Sequence, residues 1–157
     1  MTIGELCKKQ VVTIERKATV QEAARLMRLR HVGDVVVVDE ADPRVPRGML
    51  TDRDVVVEVI GQGINPADVP VESVMSSPPV CVYEEDGLIA TLDKMCASGV
   101  RRVPVVDRHG HLTGLVSVDD LVPLLARELA KIGALIRREQ ATEVRKTEDT
   151  FQDEFAT

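Results

Sequence analysis

Two short segments of the sequence carry a hydroxyl and a carboxylate at the same spacing. In each one a glycine and two apolar residues precede a Ser or Thr, and an Asp follows three positions later; the segments span residues 48–54 and 114–120. The pattern predicts a short buried strand followed by the first turn of a helix, a junction at which backbone N–H groups favour a phosphate. For a single copy, a capping box without any ligand is the simpler explanation. Two copies in matching contexts favour a functional role.

The two segments belong to a longer internal repeat. Seven residues of the first copy recur in the second at an offset of 68 residues: Val12, Met27, Val32, Val35, Val37, Val38 and Asp39. The offset becomes 66 at Gly48, because the polar loop 40–47 of the first copy holds two additional residues. One copy of about 60 residues would bury only a marginal core, so we expect the two copies to pack together.

Each copy predicts the element order β-α-β-β-α. An extended segment comes first, at residues 11–14 and 80–83, and a helix with apolar residues at helical spacing follows it. Consecutive apolar residues at 35–38 and 103–106 indicate strands that are covered on both faces. A hairpin then leads to the repeated junction and a second helix. We therefore predict an α+β fold of two β-α-β-β-α repeats, packed sheet to sheet with pseudo-twofold symmetry.

The repeat also sets the predicted domain boundaries. The four segments are repeat 1 at 7–61, a linker and lead-in at 62–78, repeat 2 at 79–127, and a helical extension with a flexible tail at 128–157. Residues 3–7 are expected to play the same lead-in part as residues 71–76. The linker is rich in turn-forming residues, as a connection between two structured copies should be.

The last helix of the second copy continues beyond the point where the first copy ends. Its apolar stripe comprises Leu121, Leu125, Leu129, Ile132, Leu135 and Ile136. A small domain cannot bury such a stripe, so we expect the helix to pack against another subunit or back across its own module. A frayed, solvated helix is the alternative, although such helices lack an apolar stripe.

Composition narrows the classes of function. The net charge of −6 argues against a general nucleic-acid binder. The three aromatic residues are Tyr83, Phe151 and Phe155, so a bound base would lie between aliphatic side chains. No apolar run approaches membrane-spanning length, and the N-terminus lacks the apolar stretch of a signal peptide. We expect a cytoplasmic protein that does not engage a membrane.

The cysteine and histidine residues show no metal-binding pattern. Cys7, Cys81 and Cys96 lack ligand spacing, and Cys81 and Cys96 are interpreted as small core residues. His109 and His111 flank a turn glycine without a third ligand, which indicates turn residues. No Ser/His/Asp, Cys/His or paired-carboxylate arrangement is present, so we expect no enzymatic activity and no catalytic cofactor.

The repeated motifs resemble those of the CBS domain family. The twin β-α-β-β-α copies, the two Gly-to-Asp junctions and the segment Val103-Pro104-Val105-Val106-Asp107 look like a tandem CBS pair, or Bateman module, over residues 7–127. Without an attached catalytic domain, the chain is similar to the stand-alone bacterial CBS-pair proteins. The resemblance implies two clefts between the repeats and usually a homodimer. It also implies regulatory binding of an adenosyl ligand such as AMP, ADP, ATP, NAD(H) or S-adenosylmethionine.

The resemblance also implies roles for individual residues. Asp54 and Asp120 would accept hydrogen bonds from the 2′- and 3′-hydroxyls of a ribose, and Thr51 and Ser117 would contact a phosphate. Family members hold the adenine between the first strand and the strand after the first helix. The residues implied for the base are Val12, Thr13, Val35 and Val36 in one cleft, and Val80, Cys81, Val103 and Pro104 in the other.

Three arginines are candidates for phosphate binding in this net-negative protein. Arg53 lies within the first junction, and Arg101 and Arg102 precede the second central strand. A guanidinium can bind a phosphate through two hydrogen bonds, although solvated surface charge is the alternative explanation. The equivalent positions of the other copy hold Asp119, Gly33 and Asp34. The two clefts are therefore expected to differ in the phosphate charge that they hold.

The leading hypothesis is an adenine-nucleotide sensor. Occupancy of the clefts would change how the repeats or subunits sit against each other, and the change would reach an unidentified regulated protein. The alternative is a ligand-independent homodimeric adaptor. A small enzyme that acts on nucleotides is a third and less favoured hypothesis.

Overall fold

The computed structural model describes the backbone of residues 2–155 and the side chains of residues 2–145. Contacts divide the chain into two units, with the boundary after Val118. The first unit contains repeat 1 and the strands and first helix of repeat 2, and the second consists of the C-terminal helix from Asp119 onward.

The two repeats have matching elements. After the short helix α1 (Ile3–Leu6), repeat 1 contains β1 (Thr13–Glu15), α2 (Val20–Arg30), β2 (Asp34–Val38), β3 (Pro46–Thr51), α3 (Asp52–Asp54) and a π-helix (Val55–Ile60). A 3-10 turn (Val71–Ser73) leads to repeat 2, which contains β4 (Val82–Tyr83), α4 (Leu88–Ser98), β5 (Arg102–Val106), β6 (Leu112–Ser117) and the start of α5 (Val118–Phe155). The predicted α+β fold with two such repeats is confirmed.

Each repeat forms a three-stranded sheet with the same topology. The strand orders are β1-β2-β3 and β4-β5-β6, with a parallel first pair and an antiparallel second pair in both sheets. The central strand β2 is covered on both faces, since Val35, Val36 and Val37 are fully buried. Val36 belongs to a cluster with Leu112 and Leu115 of repeat 2, so the two sheets share an apolar core.

The first helix of each repeat ends in a left-handed residue. Gly99 closes α4 with a φ of 65°, and His31 closes α2 at the equivalent position with a φ of 54°. The N-terminus of α2 carries a capping box, in which the Thr19 hydroxyl accepts from Glu22 N–H and the Glu22 carboxylate accepts from Thr19 N–H. The predicted helix over this segment is thus fixed by local hydrogen bonds at both ends.

The lead-in segments are exchanged between the repeats. Residues 3–8 pair with repeat 2, where Ile3 N–H donates to the Asp86 carbonyl (2.9 Å) and Lys8 bridges Leu115. Residues 71–76 make the equivalent bonds to repeat 1, with Val71 N–H donating to the Ala18 carbonyl and a bridge between Met49 and Ser76. Each lead-in segment therefore pairs with the repeat that it does not directly precede.

This exchange explains the glycine that opens each junction motif. A Cβ atom at Gly48 would lie 2.5 Å from Met75 Sδ and 2.9 Å from the Ser76 carbonyl oxygen. A Cβ atom at Gly114 would collide with Cys7 Sγ and lie 3.0 Å from the Lys8 carbonyl oxygen. Only glycine lets the exchanged segment approach the strand this closely.

The helix that follows the first junction departs from the predicted α-helix. Val55–Ile60 form a π-helix, with bonds such as Gly61 N–H to the Val56 carbonyl (2.7 Å). Val56, Val57 and Ile60 are exposed. Consecutive β-branched side chains crowd the preceding turn of an α-helix, which disfavours that geometry here.

The C-terminal helix α5 extends from Val118 to Phe155. The segment predicted to be a flexible tail is helical through Phe155, and residues 156–157 lie outside the described residues. Apolar side chains of α5 are exposed, among them Leu129, Ile132, Leu135 and Ile136. Within the described chain, no helix has the length and apolar character needed to cross a membrane.

The substitution Gly114→Ala should lower the free energy of unfolding by about 1–3 kcal/mol, because the added methyl group overpacks the lead-in segment. Urea denaturation would measure the loss. Gly87→Ala is the matched control, since a Cβ atom there meets nothing within 4 Å and the backbone φ is −78°. Equal losses for both variants would contradict the close-approach explanation.

Candidate functional site

The junction of repeat 1 forms a compact network around one carboxylate. Thr51 N–H and Thr51 Oγ1 both donate to Asp54 Oδ2, at 2.8 and 2.7 Å, and Asp54 N–H donates to Thr51 Oγ1 at 3.2 Å. Among the described residues, the other oxygen, Asp54 Oδ1, accepts no hydrogen bond. The carboxylate is half-buried, so one oxygen caps the helix while the second can accept from a ligand.

A cleft of about 410 Å³ opens beside this junction. Repeat 1 contributes five residues to its wall, namely Met49, Thr51, Asp52, Arg53 and Asp54. The rest of the wall comes from the exchanged lead-in and repeat 2, namely Ser76, Pro78, Pro79, Val80, Gly99, Val100, Arg101 and Arg102. The cleft therefore belongs to the pair of repeats and not to one copy.

Three arginine side chains line the cleft, and an aspartate contacts one of them. Arg102 Nε lies 2.9 Å from Asp34 Oδ2, and this carboxylate is only 10% exposed. Asp34 pairs in register with Thr51, which places it at the end of the sheet that forms the cleft. The backbone N–H of Arg53, and not its guanidinium group, donates to Asp52 Oδ1 at 2.8 Å, and the side chains of Arg53 and Arg101 are exposed. The wall thus combines three guanidinium groups with the carboxylates of Asp52 and Asp54.

The structure brings together six of the residues predicted for ligand binding. They line one cleft and comprise Thr51, Arg53, Asp54, Val80, Arg101 and Arg102. Val35, Val36 and Val103 are instead fully buried in the central strands, and Pro104 is buried beside them. None of these four side chains lines the cleft, so any contact with a base would have to use backbone groups.

Val12 and Thr13 line a different groove. This groove measures about 660 Å³ and also includes Lys9, Arg30 and Val32. At the repeat offset, Val12 and Val32 of this groove correspond to Val80 and Val100 of the first cleft.

The two junction residues of repeat 2 lie at the start of the C-terminal helix. Ser117 ends β6 and is 7% exposed. Asp120 lies in the first turn of α5, within the second unit.

Cys81 follows Val80 but does not line the cleft. Its Sγ lies 3.7 Å from the Pro79 carbonyl oxygen, and burial raises the pKa of the thiol. The thiol is therefore protonated and weakly nucleophilic at neutral pH. Cys81 is thus only partly buried, and Cys96 is exposed, so the prediction that Cys96 is a core residue is wrong.

The histidines of the β5–β6 hairpin serve a turn. Backbone N–H groups of His109 and His111 donate to Asp107 Oδ1 at 2.8 and 2.9 Å, and these bonds lower the pKa of the Asp107 carboxyl. Among the described residues, no group of three or more His, Cys, Asp or Glu side chains has the arrangement of a metal site.

Sequence reasoning missed the wall contributed by the linker. Ser76 reaches the cleft because it bridges Met49, with N–H···O distances of 3.1 and 2.9 Å. Pro78 and Pro79 follow directly and complete that wall. The sequence does show two lead-in segments at matching positions of the repeat. It shows no local pattern from which their pairing with the opposite repeat could be predicted.

The comparison with family models decides the family. The CBS domain model matches residues 3–61 and 71–127, which is most of the chain. The chain belongs to the CBS domain family. Among curated relatives, an uncharacterised protein of Methanopyrus kandleri is 36% identical over 122 residues. The match covers 78% of this chain but only 61% of that relative's length.

Solved CBS proteins share the fold. A CBS domain protein from Pyrobaculum aerophilum, complexed with AMP, is 28% identical with a TM-score of 0.74, covering 83% of this chain and 99% of its own. A hexameric CBS-CP12 protein from bloom-forming cyanobacteria is 30% identical with a TM-score of 0.71, covering 78% of this chain and 66% of its own. Ligand binding and oligomer formation thus both occur among CBS relatives, and the oligomers are not restricted to dimers.

The substitution Thr51→Ala should lower the free energy of unfolding by about 1 kcal/mol, because it removes the hydroxyl that caps the helix. Thr51→Ser retains the hydroxyl and is expected to lose only a few tenths of that value. Chemical denaturation of both CBS-pair variants against the wild type measures the difference. A Ser variant as unstable as the Ala variant would show that the methyl group, and not the cap, matters.

Proposed function

We propose that this CBS pair binds an adenosyl nucleotide in the cleft beside Thr51 and Asp54 and signals to a partner protein through the resulting conformational change. The observation that carries the proposal is the assembly of the Asp54 carboxylate, the Thr51 hydroxyl and three arginines around one cleft. The AMP complex of the Pyrobaculum relative supports the adenosyl class, which includes AMP, ADP, ATP and NAD(H).

Each part of the ligand has a chemically suitable partner. Asp54 Oδ1 would accept a ribose hydroxyl, while Oδ2 keeps its bonds to Thr51. The guanidinium groups of Arg53 and Arg101 would bind phosphate oxygens through charge-assisted hydrogen bonds. Val80 and Val100 offer an aliphatic surface for the base, whose polar edge would be read by the backbone. No group in this arrangement acts on the ligand covalently.

A second ligand site in the other copy remains a proposal from the repeat. Ser117 and Asp120 hold the motif positions of Thr51 and Asp54. We expect the same hydroxyl and carboxylate chemistry from them, with a weaker attraction for phosphate because Asp119 replaces Arg53.

The substitution Asp54→Ala should weaken binding of the best adenine nucleotide about 10- to 100-fold, because it removes a charged hydrogen-bond acceptor for the ribose. Isothermal titration with adenosine, AMP, ADP, ATP and NAD(H) measures the affinities, and thermal shifts check them. Glu22→Ala is the matched control, since it removes the equivalent capping carboxylate of α2 away from the cleft.

The two variants should lose similar stability, but only Asp54→Ala should lose affinity. If the wild type bound none of these compounds, the ligand-independent adaptor would be the better explanation. If Asp54→Ala bound as tightly as the wild type, the ribose assignment would be wrong.

We also infer that α5 mediates homodimer formation. Leu129, Ile132, Leu135 and Ile136 recur at three- and four-residue spacing, and all are at least half exposed. A long helix with an uncovered apolar stripe is stabilised mainly by packing that stripe against a partner. A second copy of the chain supplies the same stripe and would cover it.

Leu129→Gln combined with Ile136→Gln should shift the mass in solution from dimer toward monomer, because both apolar contacts are lost while helix propensity is kept. Sedimentation equilibrium or light scattering measures the mass. Arg127→Gln with Arg137→Gln is the control, because at about 3.6 residues per turn both residues lie on the face of α5 away from the stripe; it should leave the mass unchanged. A dimer that survived the Leu129 and Ile136 changes would place the interface elsewhere.

A further inference from the structure

The repeat relates positions of very different charge around the cleft. Asp34 and Arg102 are separated by the repeat offset of 68 residues and begin the equivalent strands β2 and β5. Arg101 likewise corresponds to Gly33, so the backbone positions match while the side chains do not. At these two positions repeat 2 therefore carries two guanidinium groups, whereas repeat 1 carries a glycine and one carboxylate.

Asp34 is an anion that does not line the arginine cleft itself but contacts one of the arginines that do. Its Oδ2 lies 2.9 Å from Arg102 Nε, and the two side chains are 10% and 33% exposed. Arg102 lines the cleft, whereas Asp34 lies behind it at the first position of β2. A phosphate in the cleft would thus meet Arg102 already bound to a carboxylate, while Arg53 is exposed at the same wall.

We propose that this cleft selects nucleotides by the charge of their phosphate chain, favouring two or more phosphates, and that Asp34 sets this selectivity by competing for Arg102. The inference rests on the proposed function of the cleft. A single phosphate can be held by one or two guanidinium groups. A second or third phosphate adds the charge needed to share Arg102 with Asp34.

This competition gives phosphate number a structural consequence. The Asp34–Arg102 contact joins repeat 1 to repeat 2, so a ligand that takes Arg102 loosens a direct link between the repeats. Adenosine or AMP would leave that link in place. The cleft would then respond to the phosphate chain and not only to the adenosine moiety.

Wild-type protein provides the first test. Isothermal titration in magnesium-free buffer at constant ionic strength compares adenosine, AMP, ADP and ATP. Affinity should rise about tenfold or more from AMP to ADP or ATP, with adenosine the weakest ligand. Equal affinities for the three nucleotides would overturn the inference but leave the proposed function intact. Absence of binding by all four compounds would overturn the proposed function itself.

The substitution Asp34→Asn provides the second test. It should raise the affinity for AMP about three- to tenfold, raise those for ADP and ATP by less, and leave that for adenosine within about twofold, so that the difference between AMP and ATP narrows. Asp39→Asn is the matched control, because Asp39 follows the other end of β2 and pairs with Arg47 at 3.3 Å. This control should leave all affinities unchanged. An Asp34→Asn variant that kept the wild-type ratio of AMP to ATP affinity would overturn the inference.

Arg102→Gln covers the case in which Asp34→Asn does not fold. This variant should retain adenosine binding and lose most of the difference between AMP and ATP. A merely structural role for the Asp34–Arg102 contact would lower stability but leave the dependence on phosphate number as in the wild type.

Discussion

The close approach of the exchanged lead-in segments to Gly48 and Gly114 is the constraint on which the rest of the structure depends. Each segment pairs with a strand of the opposite repeat and occupies the space that a Cβ atom would need. The Met49–Ser76 bridge then leads the chain through Pro78 and Pro79 past the Thr51–Asp54 junction. The cleft exists because of this path, so a single copy of the repeat could not form it.

The junction carboxylate combines a local structural task with availability to a ligand. The same capping geometry occurs at Thr2–Glu5, Thr19–Glu22 and Thr51–Asp54. Of these, only the Thr51–Asp54 pair lines the arginine cleft within the described residues. The pattern of a hydroxyl followed by a carboxylate therefore predicts a helix start reliably and a binding site poorly. Placement beside the second repeat distinguishes the copy that lines the cleft from the other two.

The sequence predicted the features that depend on local patterns. The uninterrupted valines of β2 indicated a strand covered on both faces, and Thr19 indicated the start of α2, because burial and capping act over a few residues. The exchange of the lead-in segments escaped prediction, since pairing between segments far apart in the sequence leaves no periodic signal. The π-helix at Val55–Ile60 was likewise not predicted, because the same apolar spacing suits an α-helix.

Burial also explains why part of the candidate site could be located only to the nearest strand. The central strands were predicted from β-branched residues that include Val35, Val36 and Val103. Their side chains are fully buried in the core and cannot contact a ligand. The arginines could be identified as candidates because a net-negative protein needs local positive charge to bind a phosphate. Their convergence on one cleft depends on how the two repeats pack, which the sequence does not show. Arg53 and Arg101 are 48 residues apart in the sequence and share one wall in the fold.

The contact between Asp34 and Arg102 makes the two copies of the repeat electrostatically different. Where charged residues at equivalent positions touch each other across a pseudo-twofold arrangement, their charges must be opposite, since two arginines or two aspartates 2.9 Å apart would repel each other. In this protein repeat 2 carries the cation and repeat 1 the anion. Because Arg102 also lines a cleft, this requirement gives the two copies different charge wherever a ligand could bind. Asymmetry between the clefts thus follows from the packing of the repeats, before any selection for a particular ligand.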